Sequence, residues 1–248
     1  MPWICPTFQR PERLAELAVS WERHQPGKQL YVRVWENDPR KDDYLSCEWP
    51  DGWELYESSA EWCGEALKEF WRMRPDEDFY GFIGDDCVLR TPQGLEILEQ
   101  EAGDWFIAYP NDCLQRHRLS THFCVGGKLT NVLGWWVPAP FQHNYMDMPI
   151  FHVGLNAGLL RYCPQVIFQH KHFLLEDSER DATYQRIYGE DGTEPIGLPE
   201  ELGKIAWAEY CKNNLKSDVT KVLRAVHTTF ENYDQWDAED AEAVHSSA

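Results

Sequence analysis

Apolar and polar positions alternate along the chain in blocks that predict strands and helices in turn. Trp3 to Pro6 is a short apolar run. Pro11 then opens a segment in which Leu14, Leu17, Ala18 and Trp21 recur at helical spacing, so the start reads strand, loop, helix. Leu30 to Trp35 is β-branched and aromatic and ends in the polar Glu36-Asn37-Asp38-Pro39, a second parallel strand and its turn. Ser58 to Arg74 places Trp62, Ala66, Phe70 and Met73 on one face behind a Ser58–Glu61 capping box, which predicts a helix that Pro75 stops. Phe79 to Ile83 is an almost wholly apolar strand ending abruptly at Gly84-Asp85-Asp86.

Downstream the same grammar predicts a helix at Leu95–Gln100 and strands at Trp105–Tyr109 and Thr121–Val125. Gly126-Gly127 forms a turn into a brief helix, and a β-like run at Val166–Gln169 leads into His170-Lys171-His172. From Ser178 the pattern is helical and acidic, including Leu198 to Tyr210 and Val219 to Phe230. Glu231 to Ala248 carries six acids and no Lys or Arg, a solvated tail. Strands recurring between helices imply an α/β domain. The expected organisation is one catalytic domain over 1–190, a helical extension over 191–230 packed on it, and the acidic tail 231–248.

Composition modifies this picture in three places. The net charge of −19 argues against nonspecific nucleic-acid binding and against an anionic membrane surface, since both draw on Lys and Arg. Within that acidic chain, Asn111 to His172 holds five Lys/Arg against two acids and six of the nine histidines, one region able to receive a phosphorylated ligand. The eight cysteines have no CxxC or zinc-like spacing, so reduced thiols are expected; with no apolar run long enough to span a bilayer, the reading is a cytosolic protein. The 12 Trp, 11 Tyr and 11 Phe supply packing first and flat binding surfaces second.

Adjacent carboxylates at a strand end repel, and a divalent cation is the natural compensation. Mg2+ or Mn2+ also suits a nucleoside diphosphate. Asp85-Asp86 fits that role, and it fits a plain turn equally well. His170 and His172 would share one face of a strand, where one could complete a metal shell; ordinary core or surface histidines satisfy the same pattern. Asp147, the only acid between Asp112 and Glu176, is a candidate general base or a helix N-cap.

Together, Ile4 to Pro11, Tyr80 to Asp86, Tyr109 to Asp112, His143 to Asp147 and Tyr162 to His172 resemble, in order and spacing, the GT-A glycosyltransferases, specifically the family-2-like enzymes of bacteriophages. The resemblance covers about residues 3–190 and implies a Rossmann-like, mostly parallel central sheet flanked by helices. It also implies a metal-dependent transfer, inverting at the anomeric carbon, from a nucleotide sugar, a UDP-sugar being favoured. By carry-over, Pro6, Thr7 and Arg10 line the base and phosphate site and Glu36 approaches the nucleoside. Asp85 holds the donor sugar or ribose, Asp86 the metal with His170 or His172, and Asp147 is the base. Gly84 replaces the first Asp of the family's Asp-any-Asp motif. Asn111 and Asp112 match in position and are assigned to acceptor contact. The implied acceptor is a hydroxylated base of phage DNA modified in the host cytoplasm, with a cell-surface glycan as rival; no membrane or protein partner is implied. A nucleotidyltransferase shares the paired acids, but Pro6–Pro11 lacks its glycine-rich loop. A silent sugar-binding module would have no use for Asp147 or His170.

Overall fold

The computed structural model describes residues 2–172, 181–188 and 199–229. The chain runs β1 (Trp3–Thr7), α1 (Pro11–His24), β2 (Leu30–Trp35), α2 (Lys41–Leu45), β3 (Trp53–Ser58), α3 (Cys63–Met73), β4 (Phe79–Phe82), β5 (Cys87–Leu89) and α4 (Gly94–Ala102). It continues with β6 (Ile107–Asn111), a 3-10 turn (Arg116–Arg118), β7 (Phe123–Gly126), α5 (Gly127–Leu133), α6 (Met148–Ala157), β8 (Leu160–His170), α7 (Ala182–Tyr188) and α8 (Pro199–Asn213). The strands form one sheet in the order β3-β2-β1-β4-β7-β6-β8-β5. Pairs β1–β2, β1–β4, β2–β3 and β6–β8 are parallel; β4–β7, β6–β7 and β5–β8 are antiparallel. This is the mostly parallel α/β sheet that the alternating pattern predicts.

Two apolar layers sandwich it. One face packs Leu14, Leu17 and Trp21 of α1 and Leu95 and Leu98 of α4 against Cys5, Val32 and Val34. The other packs Leu67 and Phe70 of α3, Ile150 and Val153 of α6, and Ala206 and Tyr210 of α8 against Ile4, Tyr31 and Tyr80. Residues buried on both sides make β1, β2 and β4 continuous apolar runs, which is why the sequence shows them so plainly. Gly81 is where β1 and β4 approach most closely: a Cβ there would stand 2.3 Å from the Trp3 ring.

Two elements differ from expectation. Residues 53–58 form an edge strand, in register with β2 from Leu30↔Trp53 to Trp35↔Ser58, and the helix begins only at Cys63. Ser58 belongs to the sheet, its carbonyl accepting the Glu36 amide at 2.9 Å. The N-terminus of α3 is capped instead by Glu65, whose carboxylate accepts the amides of Glu61 and Trp62, each at 3.2 Å. β8 is far longer than Val166–Gln169 because a register shift opposite Pro110/Asn111 absorbs Pro164, Gln165 and Val166 as a bulge.

The C-terminal helices rest on the α6 side. Tyr210 donates to Asp218 at 2.9 Å from a further helix over 215–229, and Trp207 stacks 4.8 Å from His152. The start of the predicted helical region at Ser178 and the acidic tail lie outside the described residues. All eight cysteines are free thiols, and among the described residues no helix is long and apolar enough to cross a membrane.

Candidate functional site

The carboxyl ends of β1 and β4, joined by the loop after Phe141, enclose a cleft of about 420 Å3. Of the residues singled out in the sequence, Pro6, Thr7, Arg10, Asp85, Asp86, Asp147, His170 and His172 all line it. Strand pairing brings the first group together: β1 lies beside β4, so Thr7 at the end of one faces the acidic turn at the end of the other.

The donors and acceptors there are fully engaged. Thr7 Oγ1 donates to Asp85 Oδ2 at 2.7 Å and lies 3.1 Å from the Tyr44 hydroxyl. Arg10, 6% exposed, extends Nη1 to Asp85 Oδ1 at 3.0 Å and to Asp86 Oδ2 at 3.3 Å. Its other edge makes a two-pronged pair with Asp181, Nε at 2.8 Å and Nη2 at 2.9 Å. Tyr184 donates its hydroxyl to Asp86 Oδ2 at 2.7 Å, and His170 Nε2 stands 3.4 Å from that same oxygen. Three carboxylates thus surround one guanidinium, leaving a formal excess of two negative charges in a buried place.

The ionisation of the site follows from this crowding. Burial would push the Asp86 carboxyl up, but His170, Arg10 and the Tyr184 hydroxyl outweigh it and hold it well below the usual carboxylate range. Asp85 goes the other way: burial, with repulsion from Asp86, overrides Arg10 and raises it. Burial alone would strip the proton from His170, yet the Asp86 carboxylate raises its pKa.

These residues fit a divalent ion. Neighbouring ligands of an octahedral ion with bonds near 2.1 Å lie about 3 Å apart, and Asp86 Oδ2 and His170 Nε2 are 3.4 Å apart. The buried His170 Nδ1 has no hydrogen-bond partner among the described residues. Among those residues no group of three or more acidic, imidazole or thiol side chains is placed to hold a metal ion, so the protein offers at most Asp86 with a neighbouring imidazole. Mg2+ and Mn2+ are commonly held in this way, by one or two protein groups plus substrate phosphates. His172 stands beside it, its ring 5.2 Å from that of His170, its pKa depressed to about 4 by burial and by His170.

His122 was not marked out by the sequence beyond its place in a basic segment, and it explains Gly84. A Cβ at position 84 would come within 2.9 Å of Asp86 Oδ1 and 3.1 Å of the His122 ring. The imidazole fills the space a first aspartate would need. Its Nδ1 accepts the Gly84 amide at 3.2 Å, and burial drives its pKa down to about 3. Only the antiparallel register Phe82↔Phe123 brings it there. Asp181 and Tyr184 were missed as well, since the helical, acidic pattern around them carries no chemical signature. Short α7 crosses the cleft mouth, with Thr183 donating to the Phe8 carbonyl at 2.6 Å and Arg186 lying 3.9 Å over Trp62 and 4.2 Å over Phe8.

At the other end of the cleft, Asp147 occupies the N-cap position of α6, yet its side chain makes no capping hydrogen bond. Burial raises its pKa to about 6 even though nearby backbone amides favour the charge. Glu36 is exposed at the end of β2 and does not line the cleft. Asn111 and Asp112 do not line it either. The Asp112 carboxylate, 1% exposed, is spent on the loop: Oδ1 accepts the amides of Leu114, Gln115 and Arg116 at 2.9, 2.7 and 2.7 Å, and Oδ2 the Thr121 hydroxyl at 2.8 Å.

No family model and no curated protein matches the sequence. Solved structures do match. A mannosyltransferase from Pyrobaculum calidifontis, in complex with GDP-Man and Mn2+, superposes with a TM-score of 0.54 at 11% identity over 98% of this chain and 80% of that one. Glucosyl-3-phosphoglycerate synthase from Mycobacterium tuberculosis, in complex with Mg2+ and UDP, gives 0.51 at 11% identity over 69% and 71%. At such identities the likeness is one of architecture. The chain has the GT-A fold of these glycosyltransferases, with β1 carrying Pro6 and Thr7 and β4 delivering Asp85 and Asp86 to the edge of the sheet.

Proposed function

We propose that the protein is a metal-dependent glycosyltransferase that moves a sugar from a nucleotide-sugar donor to an acceptor hydroxyl with inversion. The observation that carries this reading is the pairing, in one cleft, of a carboxylate–imidazole seat short of positive charge with a separate, proton-avid carboxylate. Asp86 and His170 would hold a Mn2+ or Mg2+ ion, which would supply positive charge to offset that growing on the departing diphosphate. Asp85, steadied by Thr7 and Arg10, accepts hydrogen bonds from the donor's ribose or sugar hydroxyls. The nucleoside lies over Pro6 and Thr7 toward the Phe8–Trp62 aromatic wall.

Asp147 takes the proton from the acceptor hydroxyl. The acceptor oxygen forms its bond to the anomeric carbon as the bond from that carbon to the diphosphate oxygen breaks, and the electron pair leaves with the diphosphate. A carboxyl with a pKa near 6 is ionised at neutral pH and is a stronger base than a free aspartate. With a single base on the acceptor side and no second nucleophile invoked, displacement is direct and the configuration inverts.

The test is donor hydrolysis. Purified protein incubated with UDP- and GDP-sugars and Mn2+ is expected to release nucleoside diphosphate, to stop on chelation, and to lose this turnover in Asp86→Ala. Full turnover by the variant, or no turnover of any donor by the native protein, rejects the reading; product NMR on a transferred sugar decides between inversion and retention.

A further inference from the structure

The loop from Cys113 to His122 carries two arginines, two histidines and no carboxylate, in a chain of net charge −19. It hangs at the cleft mouth: Gln115, Leu119, Thr121 and His122 line the cleft, while Arg116, His117 and Arg118 point to the surface, all three exposed. Among the described residues, neither Arg116 nor Arg118 has a carboxylate within ion-pair distance. Arg118 is instead fixed through backbone carbonyls, donating to Leu114 O at 3.0 Å and Gln115 O at 3.3 Å.

Holding this loop in place costs free energy. Cys113 and Arg116 both adopt left-handed backbone conformations, φ +65° and +56°, unfavourable by roughly 1 kcal/mol or more each for residues with a side chain. The buried Asp112 offsets that cost with its four hydrogen bonds and so pre-sets the turn. A cationic turn, strained and pinned, beside the cleft has the character of a ligand clamp. Elsewhere the acidic surface repels anions, which concentrates an anionic ligand on this rim.

Resting on the transferase reading above, we propose that the Cys113–His122 loop is an acceptor clamp in which Arg116 and Arg118 grip a phosphate group of the acceptor while its hydroxyl reaches Asp147. Two guanidinium groups match the dianion of a phosphate monoester or two neighbouring phosphodiesters, whereas a carboxylate would be satisfied by one fork. The acceptor class is therefore a phosphorylated alcohol, either a small phosphate monoester or a nucleic acid.

The experiment measures binding with excess UDP, GDP and Mn2+ present to fill the diphosphate seat. Two probe pairs are compared: glucose 6-phosphate against glucose, and an oligonucleotide containing 5-hydroxymethylcytosine against the free nucleoside. The native protein is expected to favour the phosphorylated member of one pair about tenfold or more, and the pair that responds names the source. Arg116→Ala/Arg118→Ala should abolish the preference and Arg116→Lys/Arg118→Lys, which keeps the charge but not the fork, should retain only part of it. The charge-matched control Arg23→Ala/Arg72→Ala, at exposed arginines outside the cleft, should leave it intact. No preference in either pair, an unchanged preference in the double alanine variant, or an equal loss in the control overturns the clamp. Donor turnover by the native protein, assayed separately, shows whether the transferase reading itself has failed.

Discussion

Asp86 and Asp147 line the same cleft, the first buried and the second half-buried, and desolvation pushes both carboxyls toward the neutral form. At Asp86 an imidazole, a guanidinium and a phenol converge on one oxygen and reverse that push. At Asp147 no ion pair is formed among the described residues, and desolvation outweighs nearby backbone amides and the more distant His170, lifting the pKa to about 6. The contrast teaches that the surroundings of Asp86 favour a fixed charge, whereas those of Asp147 favour a carboxyl that gains and loses a proton near neutral pH. Neighbours, not residue type, assign the two roles.

The largest break in the comparison is Asp147→Asn. Removing the base should lower kcat by about 10²–10⁴-fold while leaving the Mn2+-dependent thermal shift with donor in place. A half-buried charge is also removed, so at pH 8 the variant should melt higher than the native protein. That gain should vanish below about pH 4, where Asp147 is protonated in both folded and unfolded chains. A kcat within a few-fold of native would disqualify Asp147.

Next in size is Arg10→Ala, which strands Asp85, Asp86 and Asp181 without their shared cation. A loss of about 3–5 kcal/mol in denaturant unfolding is expected, partly restored by Mn2+ because the ion supplies the missing charge. Unfolding unchanged by the substitution would mean that the three carboxylates do not depend on Arg10.

The pH profile of kcat/KM separates the two ends further. A base of pKa about 6 must be ionised, so activity should fall roughly tenfold per pH unit below 6 and level off above it. Asp86 stays ionised throughout that window, whereas Asp85 and His170 both have raised pKa values, so donor binding measured over the same range separates their titration from that of Asp147. A descending limb with no inflection between pH 5 and 7 would argue for another base.

The smallest effect is expected from Thr7→Val, which removes one neutral-to-charged hydrogen bond to Asp85. Donor affinity should drop by about 1–2 kcal/mol with kcat little altered. An equal fall in kcat alone would place Asp85 in the chemical step.

Legibility of the fold tracked burial. Strands β1, β2 and β4 announced themselves because both faces are covered, and α1 because its apolar stripe meets the sheet at helical period. The edge strand β3 was misread. With only one covered side, Trp53 to Ser58 mixes exposed glutamates with half-buried rings, and Ser58-Ser59-Ala60-Glu61 imitates a capping box that the chain does not use. The bulge in β8 hid most of that strand behind Pro164.

The sequence by itself marked Asp85 and Asp86 at the end of an apolar strand, and the resemblance to GT-A enzymes added Thr7 and Arg10; all four line one cleft. Tertiary structure alone decided the rest. His122, Tyr184 and Asp181 come from an antiparallel register and from a helix folded back across more than ninety residues. Whether an aspartate caps a loop, binds a cation or moves a proton depends on what lies within a few ångströms of its oxygens. Asp112, Asp86 and Asp147 acquire these different surroundings only when distant segments meet, because electrostatic free energy in a buried site is set by distance in space and not by order along the chain.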